Sequence, residues 1–244
     1  MTERLKINNY EVEIRRRLRQ RTLRLRVTAK GALRLTCAKT VPQREIFHFV
    51  SSNVDFIEKQ LEEARRIREQ YPPKHFTEGE TLLFFGRERK FHFRSGGEKL
   101  RVKMEGGDMF LSGPLDTATE NDRRQAVRKF YRKTGQKYLT QRLDFFSRTM
   151  DLYPSGVSFR CQSSRWGSCS GEGHISLNWR LMAAPADVID YIVVHELAHL
   201  QHHDHSPQFW KLVAAYSPRY REMKKWLNEH QWAFEFLARV AEEG

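Results

Sequence analysis

Val193-Val194-His195-Glu196-Leu197-Ala198-His199-Leu200 is the stretch on which the reading of this 244-residue chain turns. Its two histidines stand four positions apart. Four residues turn an α-helix through about 400°, so His195 and His199 project from one face, one turn apart, where two imidazoles can share a metal ion. Glu196 sits beside that face, too strained to be a third ligand but placed to take a proton from a water activated by the ion. Val188, Ile189, Ile192, Val193, Val194, Leu197 and Leu200 put apolar groups on nearly every side of the helix, which predicts burial and rigidly held ligands. Ala184-Pro185 marks its start.

A third ligand must come from outside that turn. On a continuing helix His202 lies roughly 10 Å along the axis from His195, so His202 and His203 cannot join the pair. His205 can join only if the chain breaks after about residue 200 and doubles back. Ser206-Pro207 predicts such a break, because Ser is a favoured N-cap and Pro a favoured first helical residue. The competing ligand is Glu222, about twenty residues downstream; His205 is preferred.

The run Arg165-Trp166-Gly167-Ser168-Cys169-Ser170, then Ile175-Ser176-Leu177-Asn178-Trp179-Arg180, Ala184-Pro185, Val188-Ile189-Asp190-Tyr191, H-E-L-A-H and His205-Ser206-Pro207-Gln208-Phe209-Trp210 resembles the YgjP-like (DUF45, WLM/SprT-related) zinc metallopeptidase family. The resemblance is continuous from about Arg165 to Trp210 and weaker elsewhere, through Leu23–Val27 with Gly31 and through Gly79-Glu80 with Phe84–Arg87. The family pattern has Asn before the third His, where Asp204 stands here; a short polar residue still tolerates a left-handed backbone. The resemblance implies peptidase activity with one zinc ion per chain, held by His195, His199 and His205, with Glu196 as the catalytic base.

Outward from this centre, Val157–Arg160 and His174–Leu181 read as strands around the Trp166–Cys169 loop. The strand His174–Leu181 is the expected edge strand for an extended substrate, and Arg165 is a candidate oxyanion stabiliser. Residues 118–150 have helical spacing, with a bend expected at Gly135 and a dense basic stretch around Arg123–Lys137. After His205, Phe209, Trp210, Leu212 and Val213 form a short amphipathic helix, and Ser217-Pro218 opens a last one carrying Met223, Trp226 and Leu227.

Toward the N-terminus, residues 1–41 read as alternating strands and residues 44–70 as one long amphipathic helix ended by Tyr71-Pro72-Pro73. A second strand group runs from Leu82 to Leu111, turning at Gly96-Gly97 and Gly106-Gly107, and Ser112-Gly113-Pro114 closes it. The expected architecture is α+β: an N-terminal β-rich domain over 1–115 with one long helix, and a zincin-like, mainly helical domain over 116–244 carrying the H-E-x-x-H helix beside a small sheet.

Hydrophobic residues at 39% and aromatics at 12% describe a globular chain. The 43 Lys and Arg against 30 Asp and Glu give a formal charge of +13, which draws polyanions by long-range attraction. Three scattered cysteines are no disulfide scaffold, and no apolar run approaches the roughly 18 residues of a membrane span, so the expected location is cytoplasmic. The expected partner is a peptide or unfolded protein. Two other readings stand beside peptide hydrolysis. One is a metal-dependent nucleoside triphosphate pyrophosphohydrolase, although no Gly-rich phosphate loop with Lys and Ser or Thr is present. The other is a basic nucleic-acid-associated module with a structural zinc site, which Glu196 argues against.

Overall fold

The computed structural model describes residues 2–28, 31–162 and 165–238. The chain divides into two compact units, residues 1–73 and 74–244. In the first, β1 (Thr2–Ile7), β2 (Tyr10–Arg17), β3 (Arg24–Val27) and β4 (Leu33–Ala38) form a sheet of order β1-β2-β4-β3. Strand β2 pairs antiparallel with β1 and parallel with β4. Period-two alternation turns Val12, Ile14, Leu33, Leu35 and Cys37 to one face, which packs on Ile46, Val50 and Ile57 of α1 (Gln43–Ser51) and α2 (Val54–Gln70). The single helix expected over 44–70 is thus two. Ser51-Ser52-Asn53 are weak helix formers, and the Asn53 side chain donates 2.7 Å to the Phe49 carbonyl, a local bond that competes with continuation of the helix.

The unit break falls at Pro73, whereas the sequence reading set a domain boundary near residue 115. The physical reason is the destination of the apolar strand faces. Strands β5 (Thr81–Phe84), β6 (Arg87–Glu105) and β7 (Asp108–Gly113) bury Leu82, Phe84, Phe91, Met109 and Leu111. Gly96 and Gly97, at φ 104° and 98°, carry β6 around so that Phe91–Ser95 and Arg101–Glu105 both pair with β7. The long helix α3 (Glu120–Met150) joins this layer: Phe84 meets Tyr131 edge-to-face at 5.5 Å, and the buried Tyr131 hydroxyl donates to the Leu83 carbonyl. The β5–β6 turn is stitched onward, Phe85 N–H to Met182 O and Gly86 N–H to Ala183 O. These bonds tie residues 81–113 to the C-terminal half.

Helix α3 starts on a Thr119/Asp122 capping box and runs unbroken through Gly135. No bend is needed there. A Cβ at Gly135 would stand 2.9 Å from Met182 Cγ and 3.1 Å from Trp179 Cβ, so this glycine provides clearance for the 3₁₀ segment Trp179–Ala183. The remaining elements are β8 (Gly156–Arg160), β9 (Gly167–Cys169), β10 (His174–Asn178), α4 (Ala186–Ala198), α5 (Pro207–Tyr216) and α6 (Tyr220–His230), with a final 3₁₀ segment Gln231–Leu237. The fold is mixed α+β, with three small sheets among the described residues. No helix among them is long and apolar enough to cross a membrane.

Candidate metal centre

Helix α4 is buried on all sides, with Val188, Ile189, Val193, Val194, Leu197 and Ala198 at 6% exposure or less. It presents His195 in its last turn and ends at Ala198; His199 is the C-cap, still in the right-handed region, so the two rings remain one turn apart at a centroid distance of 4.9 Å. The chain then leaves the helix. Asp204 does not use the left-handed region that a short polar residue tolerates; its carboxylate accepts from the Ser206 N–H at 3.2 Å and forms the turn by a side-chain bond. Ser206 caps α5 by accepting from the Phe209 N–H, and Pro207 opens the helix.

That turn brings His205 back. One ring nitrogen from each of His195, His199 and His205 lies within 4.8 Å of the others. His195 Nε2 and His205 Nε2 are 3.3 Å apart, the separation of two nitrogens bound tetrahedrally to zinc at about 2.0–2.1 Å. His199 Nδ1 donates to the His202 carbonyl at 3.0 Å, which leaves the Nε2 lone pair free. Burial, followed by the neighbouring His199, His205 and Lys224, pushes the His195 pKa down to about 3, and burial also lowers that of His199. The residues therefore fit a divalent cation: converging imidazole nitrogens, two of them on rings that burial keeps from protonation, with no carboxylate among them. Phe209 stacks on His199 at 4.5 Å, and Trp210 stacks on His205 at 5.6 Å and on Tyr220 at 5.1 Å, fixing the rings from behind.

Glu222 lies outside this group. It is exposed on α6 and bound to Arg219 at 2.8 Å. Nor do His202, His203, Cys161 or Cys169 join it among the described residues.

Glu196 follows His195 on α4 and is 5% exposed. Burial raises its pKa to about 8, and the exposed Arg165 opposes the rise. Against its carboxylate lies Gly167, so close that a Cβ there would fall 2.4 Å from Oε1. Gly167 begins β9, and the sheet order is β8-β10-β9. The strand expected at the edge, His174–Leu181, is therefore central: β10 pairs parallel with β8 and antiparallel with β9, and ends at Asn178. The edge beside Glu196 is β9.

Two further residues hold β9 in place. Asn178 donates from Nδ2 to the carbonyls of Gln162 and Arg165 at 2.8 and 3.1 Å, and from its backbone N–H to Trp166 O at 2.9 Å. Arg180, 2% exposed, donates to Gln162 O and Phe234 O, pairs with Glu235 at 3.0 Å and lies over the Trp166 ring. Neither drew a role from sequence reasoning. The available signal was an Arg and an Asn inside the apolar run Leu177–Ala184, where a buried cation needs partners.

Among curated proteins no match is found. The crystal structure of the metallopeptidase zymogen of Pyrococcus abyssi abylysin is similar at 24% identity over 38% of this chain and 95% of that one, with a TM-score of 0.35. The sequence model of the YgjP-like metallopeptidase domain matches residues 21–230, most of the length, and the chain belongs to this YgjP-like metallopeptidase family.

Proposed function

We propose that this protein is a zinc-dependent peptidase that hydrolyses peptide bonds with Glu196 as general base. The observation that carries the proposal is the convergence of three histidine nitrogens within 4.8 Å next to a buried carboxylate on the same helix. His195, His199 and His205 hold the ion, and three imidazoles with an open fourth position suit catalytic rather than structural zinc. Bound there, zinc supplies Lewis acidity, polarising a carbonyl and making water a stronger acid.

The chain's own residues do the rest. The Glu196 carboxylate, shielded from bulk solvent, takes the proton from the attacking water and returns it to the leaving amine. Gly167 clears the space in which that carboxylate sits. The free edge of β9 receives the substrate as an extended strand, by backbone pairing, which brings its scissile carbonyl along the α4 face. Arg165, whose charge opposes the rise of the Glu196 pKa, meets the negative charge that develops on the carbonyl. All three cysteines are free thiols, in keeping with a reducing, cytoplasmic setting.

The test is hydrolysis of denatured casein beside a nucleoside triphosphate panel, with the protein stripped by a chelator and then reloaded with zinc. Peptide cleavage that disappears on stripping and returns with zinc is the expected result. Turnover of nucleotides with casein left intact would replace this reading by the phosphoanhydride one.

A further inference from the structure

The sheet of the first unit has two unlike faces. One is the apolar face covered by α1 and α2. On the other, strand register lines up side chains across all four strands: Arg4 opposite Glu13, Glu13 opposite Arg34, and Arg34 opposite Arg26. The next row runs Arg15, Thr36, Arg24, and Lys6 and Arg17 complete the cationic side chains of the face. Seven cations thus share it with two carboxylates, Glu11 and Glu13. Glu13 is already held by Arg15 at 2.6 Å and by Arg34 at 3.0 Å, and these contacts keep its carboxyl below the usual carboxylate range. Arg4, Arg17, Arg24 and Arg26 are exposed and have no carboxylate partner among the described residues.

A solvated face does not require this arrangement, and stability opposes it. Like charges directly opposite each other on neighbouring strands are destabilising, and Arg26 faces Arg34 in this way. The excess is also local. Residues 1–73 contain 17 Lys and Arg against nine Asp and Glu, a net of +8 out of +13 for the whole chain. Arg16 shows the contrast: on the core-facing parity at the end of β2, it is bound to Glu3 and to the carbonyls of Lys39 and Val41.

We propose that this sheet face is a binding surface for the phosphate backbone of double-stranded DNA. Four strands about 4.8 Å apart present a cationic strip roughly 14 Å wide, and six of its seven cations are arginines, whose planar guanidinium matches phosphate oxygens two at a time. Among the described residues the strip carries no aromatic side chain for stacking exposed bases, so it is suited to a duplex backbone rather than to a single strand. Recognition is independent of base sequence. The surface concentrates the protein on DNA without taking part in hydrolysis.

The experiment is fluorescence anisotropy of a short labelled DNA duplex with the zinc-loaded full chain, across a salt series from about 50 to 200 mM. Two double variants, Arg24→Gln with Arg26→Gln and Arg4→Gln with Lys6→Gln, are compared with Lys133→Gln and Lys137→Gln on the exposed side of α3. Each sheet-face pair is expected to reduce the log–log salt slope by about 1.8, at about 0.9 for each phosphate that is no longer neutralised. The α3 pair should leave the slope unchanged, and casein hydrolysis without DNA should be equal in all three. The proposal is overturned if both sheet-face pairs keep the wild-type slope, if the α3 pair reduces it instead, or if single strands or anionic vesicles bind while the duplex does not.

Discussion

Replacing Gly167 with alanine adds one methyl group and puts it in the space of the general base. An ideal Cβ would lie 2.4 Å from Glu196 Oε1 and 2.6 Å from its Cδ and Cγ, whereas ordinary contact begins at 3.4 Å, so the carboxyl must retreat by about 1 Å. Gly167 is not in the left-handed region, so alanine brings no backbone strain and the contact alone is tested. A misplacement of about 1 Å in a catalytic geometry costs on the order of 10²-fold, equivalent to about 2.7 kcal/mol in the barrier. Overpacking is expected to cost about 1–3 kcal/mol of stability. The assay is kcat/KM on a fluorogenic peptide, with zinc content and Tm measured on the same sample. Zinc should stay bound, because Glu196 is not among the clustered nitrogens. Gly171→Ala, where an added Cβ meets nothing within 4 Å, is the control and should behave as wild type. Wild-type kcat/KM in Gly167→Ala with the fold intact would refute the reasoning, since the carboxylate position would then not matter.

Three other outcomes are expected. His205→Ala should lose its zinc in metal analysis after gel filtration, since two histidines one turn apart leave the ion underligated; retention of zinc would point to a ligand outside the cluster. Arg180→Met should lower stability by about 3 kcal/mol in urea unfolding, because Phe234 O and Gln162 O lose a buried charged donor, whereas Glu235→Gln, at an exposed partner, should cost less than about 1 kcal/mol. Metal-free protein should show a stability maximum near pH 6.5. Glu196, raised from 4.5 to about 8, contributes stability that is lost as pH rises through the folded value, and His195, lowered from 6.5 to about 3, contributes stability lost as pH falls toward it. Between 4.5 and 6.5 these two slopes cancel and the lowered His199 adds a rising one, whereas above 6.5 stability falls with Glu196 at about 1.4 kcal/mol per pH unit. A monotonic pH profile of unfolding would contradict those environments.

Helix α4 and the turn after it were readable from sequence because each rests on local rules: four-residue spacing, apolar residues on every side, and Ser-Pro at the start of the next helix. The break at Ser51–Asn53 was just as local, but the apolar periodicity runs through it and conceals it. The division of the chain could not be read locally. Pro72-Pro73 and Gly113-Pro114 are equivalent punctuation, and only the seating of Phe84 and Leu83 against Tyr131, some 48 residues away, separates them. Gly135 and Gly167 illustrate the same limit. A glycine in a helix reads as a weak point and one in a loop reads as a turn, yet here each makes room for a neighbour distant in sequence, Trp179 and Glu196 respectively. The order of β8, β10 and β9 is also nonlocal, so β10, next before α4 in sequence, reads as an edge although it is the central strand.

The most direct test of the central claim is zinc stoichiometry and peptide hydrolysis measured together in wild type and Glu196→Gln. The account predicts about one zinc per chain in both, with hydrolysis reduced by about 10²–10⁴-fold in the variant. Wild-type hydrolysis in zinc-loaded Glu196→Gln, or hydrolysis by a zinc-free chain, would contradict it.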